Sequence, residues 1–505
     1  MVDLIRETYS SASLCPAQLL QVSAKGDVIV PDRKPDAGKI LQTSVCYVPE
    51  DTVMDNKKLR LMGQLEFTVL YLSQEEVPQL CSLTAALPVE EEMNLEGMSD
   101  EHERLRYQVS YQPENVRSTL LNSRKLSLSA LMEIEAKIVK YQDTSVVTGA
   151  VGEETLVLQK KQIPLRRIIG DKEEKLIVRE MATVREGSPN IEEILWHEAT
   201  IRRRSCQLLD DRVQVKGEAV ISILYQTESG VQFLDYSTEF AGLIDAAGVR
   251  EDMDVNLQMD IVKAMLQVMP DADSELRCIQ MELVVDCHVR ITQEEERQLL
   301  TDAYDMNQRV ELMKVPRPLQ RSLYQKQLRT EVGQALEIPE SLPMALQVFY
   351  TTAKPKIDDV LLQEGQLQIE GVLYVTSFCL TADDRSPVIS FTEPVPFSKT
   401  EAVSGLRPEH KTQVSVHIER IKAELQTERR LNMTAELVLN VEVLEETMQE
   451  VVIELALSEE GLPELPSMAL CFLQPGEEVW DVGKRYRMRP EEMERMGDRT
   501  VLIVK

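Results

Sequence analysis

The phrase Pro35-Asp36-Ala37-Gly38-Lys39-Ile40-Leu41 returns as Pro189-Asn190-Ile191-Glu192-Glu193-Ile194-Leu195 and, more loosely, as Pro343-Met344-Ala345-Leu346-Gln347-Val348-Phe349. The three prolines stand 154 residues apart both times. A second marker keeps the same interval: Gly63, Gly217 and Gly371 each introduce an alternating apolar run. Two independent markers in one register describe a domain-sized unit used three times, so function is to be sought in how such units are held and presented.

The chain has 505 residues, room for three or four domains that each bury a core. Three periods fill most of it, which divides the chain into units at 1–140, 141–295 and 296–465 and a short C-terminal module at 466–505. Within the first unit Leu61, Leu65, Phe67 and Val69 alternate, and Val213, Val215, Ala219, Ile221 and Ile223 do so in the second, the period of a strand with one buried face. Gly63 and Gly217 interrupt these runs, as a bulge or a close strand crossing would require.

Polar breaks at 73–76, 226–230 and 381–386 then open further alternating segments, Leu80 to Pro88, Val231 to Phe240 and Val388 to Phe397. Each unit ends on a long strand-like run, at Leu126 to Ile138, Arg277 to Val289 and Arg430 to Val441, with Leu105 to Tyr111, Val255 to Val268 and Gln413 to Leu425 as neighbours. The segment 141–187 supplies strands to the second unit. The fold class that follows is mainly β: three tandem antiparallel sandwich-like units and a small α/β module. The repeated phrase is expected to be a short turn and helix packed by Ile40 and Leu41 or by Ile194 and Leu195, since Pro35 and Pro189 suit a first helical turn. Asp36 could cap or make a contact, but Asn190 and Met344 in the other copies leave no shared carboxylate chemistry.

Net charge is −29, which repels nucleic acid phosphates and anionic lipid surfaces. From Cys471 onward seven basic residues balance seven acidic ones, so the whole excess belongs to the repeats. Eight thinly spread cysteines without a Cys-x-x-Cys pair suit a reducing compartment. The N-terminus lacks a signal-like run, and no uncharged apolar stretch reaches 18 residues. None of the five histidines belongs to a metal or nucleophile motif, the neighbours Cys287 and His288 point to opposite faces of a strand, and no phosphate-binding glycine loop is present. No enzyme, metal or cofactor is expected.

Val28 to Asp36 followed by Lys39-Ile40-Leu41, Gly63 with Tyr71, and Leu121-Asn122-Ser123-Arg124-Lys125-Leu126 resemble the SPOCS domain, a spore-coat-associated domain of clostridial proteins. The resemblance runs most fully over 20–135 and extends to 187–290 and 335–445. The tail, Phe472-Leu473-Gln474-Pro475-Gly476-Glu477-Glu478-Val479-Trp480 through Lys484-Arg485-Tyr486, is similar to a LysM module of strand, helix, helix and strand. Its first helix carries Trp480 and Tyr486, with Trp480 as core; a second is expected from Pro490, and Val501 to Val504 return as a strand.

SPOCS units followed by LysM imply a coat morphogenesis adaptor in the mother-cell cytoplasm, at the forespore outer surface, where such proteins bind the spore-coat morphogenetic ATPase and other coat proteins. A LysM module that binds peptidoglycan is the alternative. The tail departs from the LysM pattern by running from Glu494 to Thr500 straight into the last strand, which favours protein over glycan binding. Candidate partner-binding residues are Gln474, Gly476, Arg487, Arg489 and Arg495.

Overall fold

The computed structural model describes residues 3–14, 18–55, 58–95, 104–151, 154–184, 187–458, 465, 468–497 and 500–504. The first unit runs β1 (Asp3–Leu14), β2 (Gln18–Ile29), β3 (Ala37–Asp55), β4 (Lys58–Ser73), β5 (Leu80–Asn94), β6 (Arg104–Asn122) and β7 (Lys125–Val151). The second runs β8 (Leu156–Thr183), β9 (Ile191–Leu209), β10 (Arg212–Thr227), β11 (Gly230–Asp245), β12 (Asp254–Met269) and β13 (Cys278–Asp305). The third runs β14 (Arg309–Glu337), β15 (Ala345–Gln363), β16 (Gln366–Thr381), β17 (Val388–Ala402), β18 (Lys411–Thr427) and β19 (Arg430–Ser458). The tail holds β20 (Met468–Phe472), α1 (Val479–Tyr486), a 3₁₀ turn (Pro490–Glu492), β21 (Glu494–Gly497) and β22 (Thr500–Val504).

Each unit is a sandwich of two antiparallel sheets. In the first, the meander β3-β4-β5 faces β2-β7-β6; in the second, β9-β10-β11 faces β8-β13-β12; in the third, β15-β16-β17 faces β14-β19-β18. The alternation read in the sequence is the inner face of these sheets: Leu61, Leu65, Phe67 and Val69 of β4 are wholly buried against Leu126, Leu128 and Met132 of β7. Each such side chain contributes about 1.5–3 kcal/mol on leaving water, so this stripe, more than local propensity, holds the strands in register.

The repeated phrase forms no helix. Pro35 sits in a turn where the Lys34 amide donates to Pro31 O at 2.9 Å and the Tyr71 hydroxyl to Pro35 O at 3.2 Å. From Ala37, Ile191 and Ala345 the backbone runs extended, its hydrogen bonds taken by β4, β10 and β16. The adjacent apolar pair then points both ways, as only a strand allows. Ile40, Ile194 and Val348 pack on their own unit's core, whereas Leu41, Leu195 and Phe349 enter a cluster shared by all three units with Leu70, Leu224 and Phe378. Asp36 accepts from Ser123 Oγ at 2.8 Å and Arg124 Nη1 at 3.1 Å, and Asn190 Nδ2 donates to Glu275 Oε2 at 2.6 Å, so this position ties the strand entry locally in the first two units, while Met344 in the third is exposed.

The three glycines mark close approach. An added Cβ would lie 2.6 Å from the Tyr47 ring and Val48 O at Gly63, 2.8 Å from the Phe240 ring at Gly217, and against Lys356 O and 2.6 Å from the Phe397 ring at Gly371. Opposite each glycine the neighbouring strand bulges, between Pro49 and Asp51, between Arg202 and Ser205, and between Ile357 and Asp359. Gly371→Ala is expected to destabilise the third unit by about 1–3 kcal/mol, because the obstructing Lys356 carbonyl is backbone. Gly217→Ala meets only side chains, so its urea midpoint should fall less.

Strands β7, β13 and β19 outrun their sandwiches, and β7 crosses the division drawn at 140 and β13 the one at 295. Their outer halves pair with β1 and with the first halves of β8 and β14, giving three antiparallel ribbons. Equivalent residues meet between the ribbons: Val146, Leu299 and Val451 in one cluster, Val147, Leu300 and Val452 in another. Polar contacts join each unit to both others. Arg106 Nη1 reaches Asp171 Oδ1 at 2.6 Å from the first unit to the second, Arg166 pairs with Glu442 from the second to the third, and Ser390 Oγ donates to Leu41 O at 3.1 Å from the third to the first. The units therefore form a closed ring about a pseudo-threefold axis, with an apolar cluster at the sandwich end and a three-ribbon stalk at the other. Cys287 is buried in the core while His288 faces Asp171 at 2.6 Å, on the opposite side of β13, and every described cysteine is a free thiol. Among the described residues no helix is long and apolar enough to cross a membrane.

Candidate functional site

The tail packs against the tip of the stalk. β20 and β22 pair antiparallel, with Leu470 opposite Leu502, and β21 adds to the other side of β22. Helix α1 opens at Glu478, whose amide donates to Asp481 Oδ2 at 2.8 Å, and ends at Arg487 in the left-handed conformation at φ 55°. Cys471, Val482, Met488 and Met493 form a small core between helix and sheet. The second helix expected from Pro490 is a single 3₁₀ turn, and β21 occupies the place it would have extended into. Glu494 and Arg495 there make ladder pairs with β22, which takes up backbone groups that a helix would have satisfied internally.

Trp480 does not belong to the module's core. Its ring lies 4.8 Å from that of Tyr304 on β13, and its Nε1–H donates to Asp302 Oδ2 at 3.0 Å. Lys484, one helical turn on, reaches both Asp302 oxygens at 2.7 and 2.8 Å. The buried Tyr304 hydroxyl donates to Met488 O at 2.7 Å, and a Cβ at Gly483 would come within 2.7 Å of that hydroxyl. Burial pulls the Asp302 carboxyl upward, but the Lys484 and Trp480 hydrogen bonds, with Lys314 behind them, outweigh it and hold the group below the usual carboxylate range. Burial, helped by Glu491 and Glu492, pushes the Tyr304 phenol up to about 12, so it remains a donor.

Of the candidate partner residues, Gln474 and Gly476 lie exposed in the turn after β20, with Gly476 at φ +88° in open space. The Gln474 amide donates to Glu477 Oε2 at 3.0 Å. Arg489 is taken up by the stalk, donating to Glu154 O at 2.5 Å. Arg487 is the helix C-cap, half-buried, and Tyr486 packs on the tail core. The Arg495 side chain lies outside the described residues. Turn and docking face are thus on different parts of the module. Asp302 and Tyr304 were not legible as site residues; their only signal is positional, since the first ribbon has Gly149 and Val151 at the equivalent places and the third has Glu454 and Ala456.

The family model described as SipL, SPOCS domain matches residues 190–269 and 345–426. The second and third units each carry a SPOCS match. Each SPOCS match begins within the repeated phrase and ends with the strand β12 or β18, so it covers one meander and one edge strand of the facing sheet. The SPOCS text that reads most fully in the first unit is matched in the second and third, and the first shares their architecture: β3-β4-β5 with β6 and β7 repeats the same pairings. The SPOCS match points to a sporulation-related coat protein. No curated protein and no solved structure matches the chain.

Proposed function

We propose that this protein is a non-enzymatic adaptor of spore coat assembly that binds the spore-coat morphogenetic ATPase at the forespore surface through its LysM-like tail. The observation that carries this reading is an apolar face on the tail's edge strand. Met468, Leu470 and Phe472 alternate along β20 at 64, 52 and 70% exposure, while Ala469 and Cys471 between them turn to the tail core. Three large apolar side chains on one face of the only charge-balanced module suit a protein surface. They offer a sugar neither hydrogen bonds nor charge. The ring supports the role by fixing three acidic units as one body, with ATP hydrolysis left to the partner.

Binding of the recombinant ATPase to the full chain should fall roughly ten- to a hundredfold for Leu470→Ser combined with Phe472→Ser, the loss typical of an apolar hot spot. A chain ending near Pro466 should not bind. Unchanged binding by the shortened chain would move the interface onto the SPOCS sheets, and retention of the tail on peptidoglycan without ATPase binding would favour the glycan reading.

A further inference from the structure

The second ribbon carries Asp302 and Tyr304 at its tip, where its two counterparts carry Gly149 with Val151 and Glu454 with Ala456. We infer that Asp302 and Tyr304 form a receptor site for the chain's own tail, a latch that withholds the Trp480–Lys484 face of α1 from any external partner. The inference rests on contacts within this chain and not on the identity of the partner.

Four observations converge on it. A single carboxylate collects three hydrogen bonds from α1, one from the indole and two from the ammonium. Charged acceptors of this kind are the strong ones, and here they are partly shielded from solvent. The Tyr304 hydroxyl, buried, donates to the Met488 carbonyl just past the end of α1. The small residue Gly483 lets that hydroxyl approach the helix. Arg489 fastens the other side of the module to Glu154 O, in the turn that links the first ribbon to the second.

The pseudo-threefold arrangement supplies an internal control. Three ribbon tips are available to the tail, and it occupies the one with a carboxylate and an aromatic two residues apart. Gly149 with Val151 lacks both groups, and Glu454 with Ala456 lacks the ring. Proximity in sequence would favour the third ribbon, since β19 leads directly toward the tail. Chemistry rather than connectivity therefore selects the site. While the latch holds, the faces left to a partner are the β20 surface and the Gln474–Gly476 turn; a partner that needs Trp480 must first displace Asp302.

The latch is tested on the full chain by acrylamide quenching of the Trp480 emission, isolated as the difference from the Trp480→Phe chain. Asp302→Ala, with Asp302→Asn as the milder variant, should raise the quenching constant several-fold. Amide protection of residues 126–138 in β7 should stay unchanged, which shows that the body remains folded. Lys484→Ala should have a smaller effect, and Asp302→Ala with Lys484→Ala should be no worse than Asp302→Ala alone, because the two groups share one interaction. Quenching that stays at the wild-type level in both Asp302 variants, or effects of Asp302→Ala and Lys484→Ala that simply multiply, would overturn the latch.

Discussion

Glu442→Ala is expected to destabilise the ring by about 3–5 kcal/mol, the loss that follows when one partner of a buried ion pair is removed. Arg166 on β8 and Glu442 on β19 are only 9 and 4% exposed, and they belong to different units. Burial already lowers the Arg166 guanidinium from its usual value, with Glu442 acting to restore it and Arg290 nearby acting against it. Without Glu442 the cation stays in the junction beside a like charge. Small domains are stable by only about 5–15 kcal/mol, so the urea midpoint should drop steeply. The combined Arg166→Met and Glu442→Leu variant should recover most of the loss, since two apolar side chains of similar volume need no partner. A Glu442→Ala chain that melts like the wild type would mean that the junction admits water to the guanidinium. The exposed pair Arg60 and Glu90 supplies the comparison, and breaking it should leave the urea midpoint almost unchanged.

The junction also shows what could be known from the residues in order. Strand positions, pairing neighbours and the threefold repeat follow from alternation and spacing, because burying one face of a strand is a local demand that each segment writes into its own residues. The Ile-Leu pair reads as helical in the sequence for a reason of the same kind. Two adjacent apolar residues fit one helical face as well as they fit a strand buried on both sides, and only the presence of a second core behind Leu41, Leu195 and Phe349 decides between them. That second core exists because three units meet, which no single copy announces. The tail carries the same lesson at smaller scale. Trp480 alternates with apolar helix positions and so resembles core, yet its partner Asp302 lies on a ribbon of the second unit. The missing second helix reflects competition of another sort, where β22 offers ladder pairing to Glu494 and Arg495 that a short helix would have had to forgo.

Acid should loosen the molecule well before its carboxylates titrate, and His417 is the reason. It lies on β18 beside Arg204 and Arg329, and burial first, then those two cations, depress its pKa from 6.5 to about 3. His417 is thus neutral in the folded protein throughout the range in which an unfolded histidine takes up a proton. Its contribution to stability is full above about pH 6.5 and is lost progressively as pH falls toward about 3, at about 1.4 kcal/mol per unit. By pH 5 this one group costs about 2 kcal/mol. His197 on β9, whose pKa burial also lowers, adds in the same direction. His417→Gln removes the titration while keeping a polar side chain of similar length, so its unfolding free energy should decline less between pH 7 and pH 5 than that of the wild type. The difference in slope, measured by urea unfolding at pH 7, 6 and 5, should approach the uptake of one proton. An identical slope in the two chains would mean that His417 is protonated in the fold, and that Arg204 and Arg329 are screened from it by an anion or by solvent.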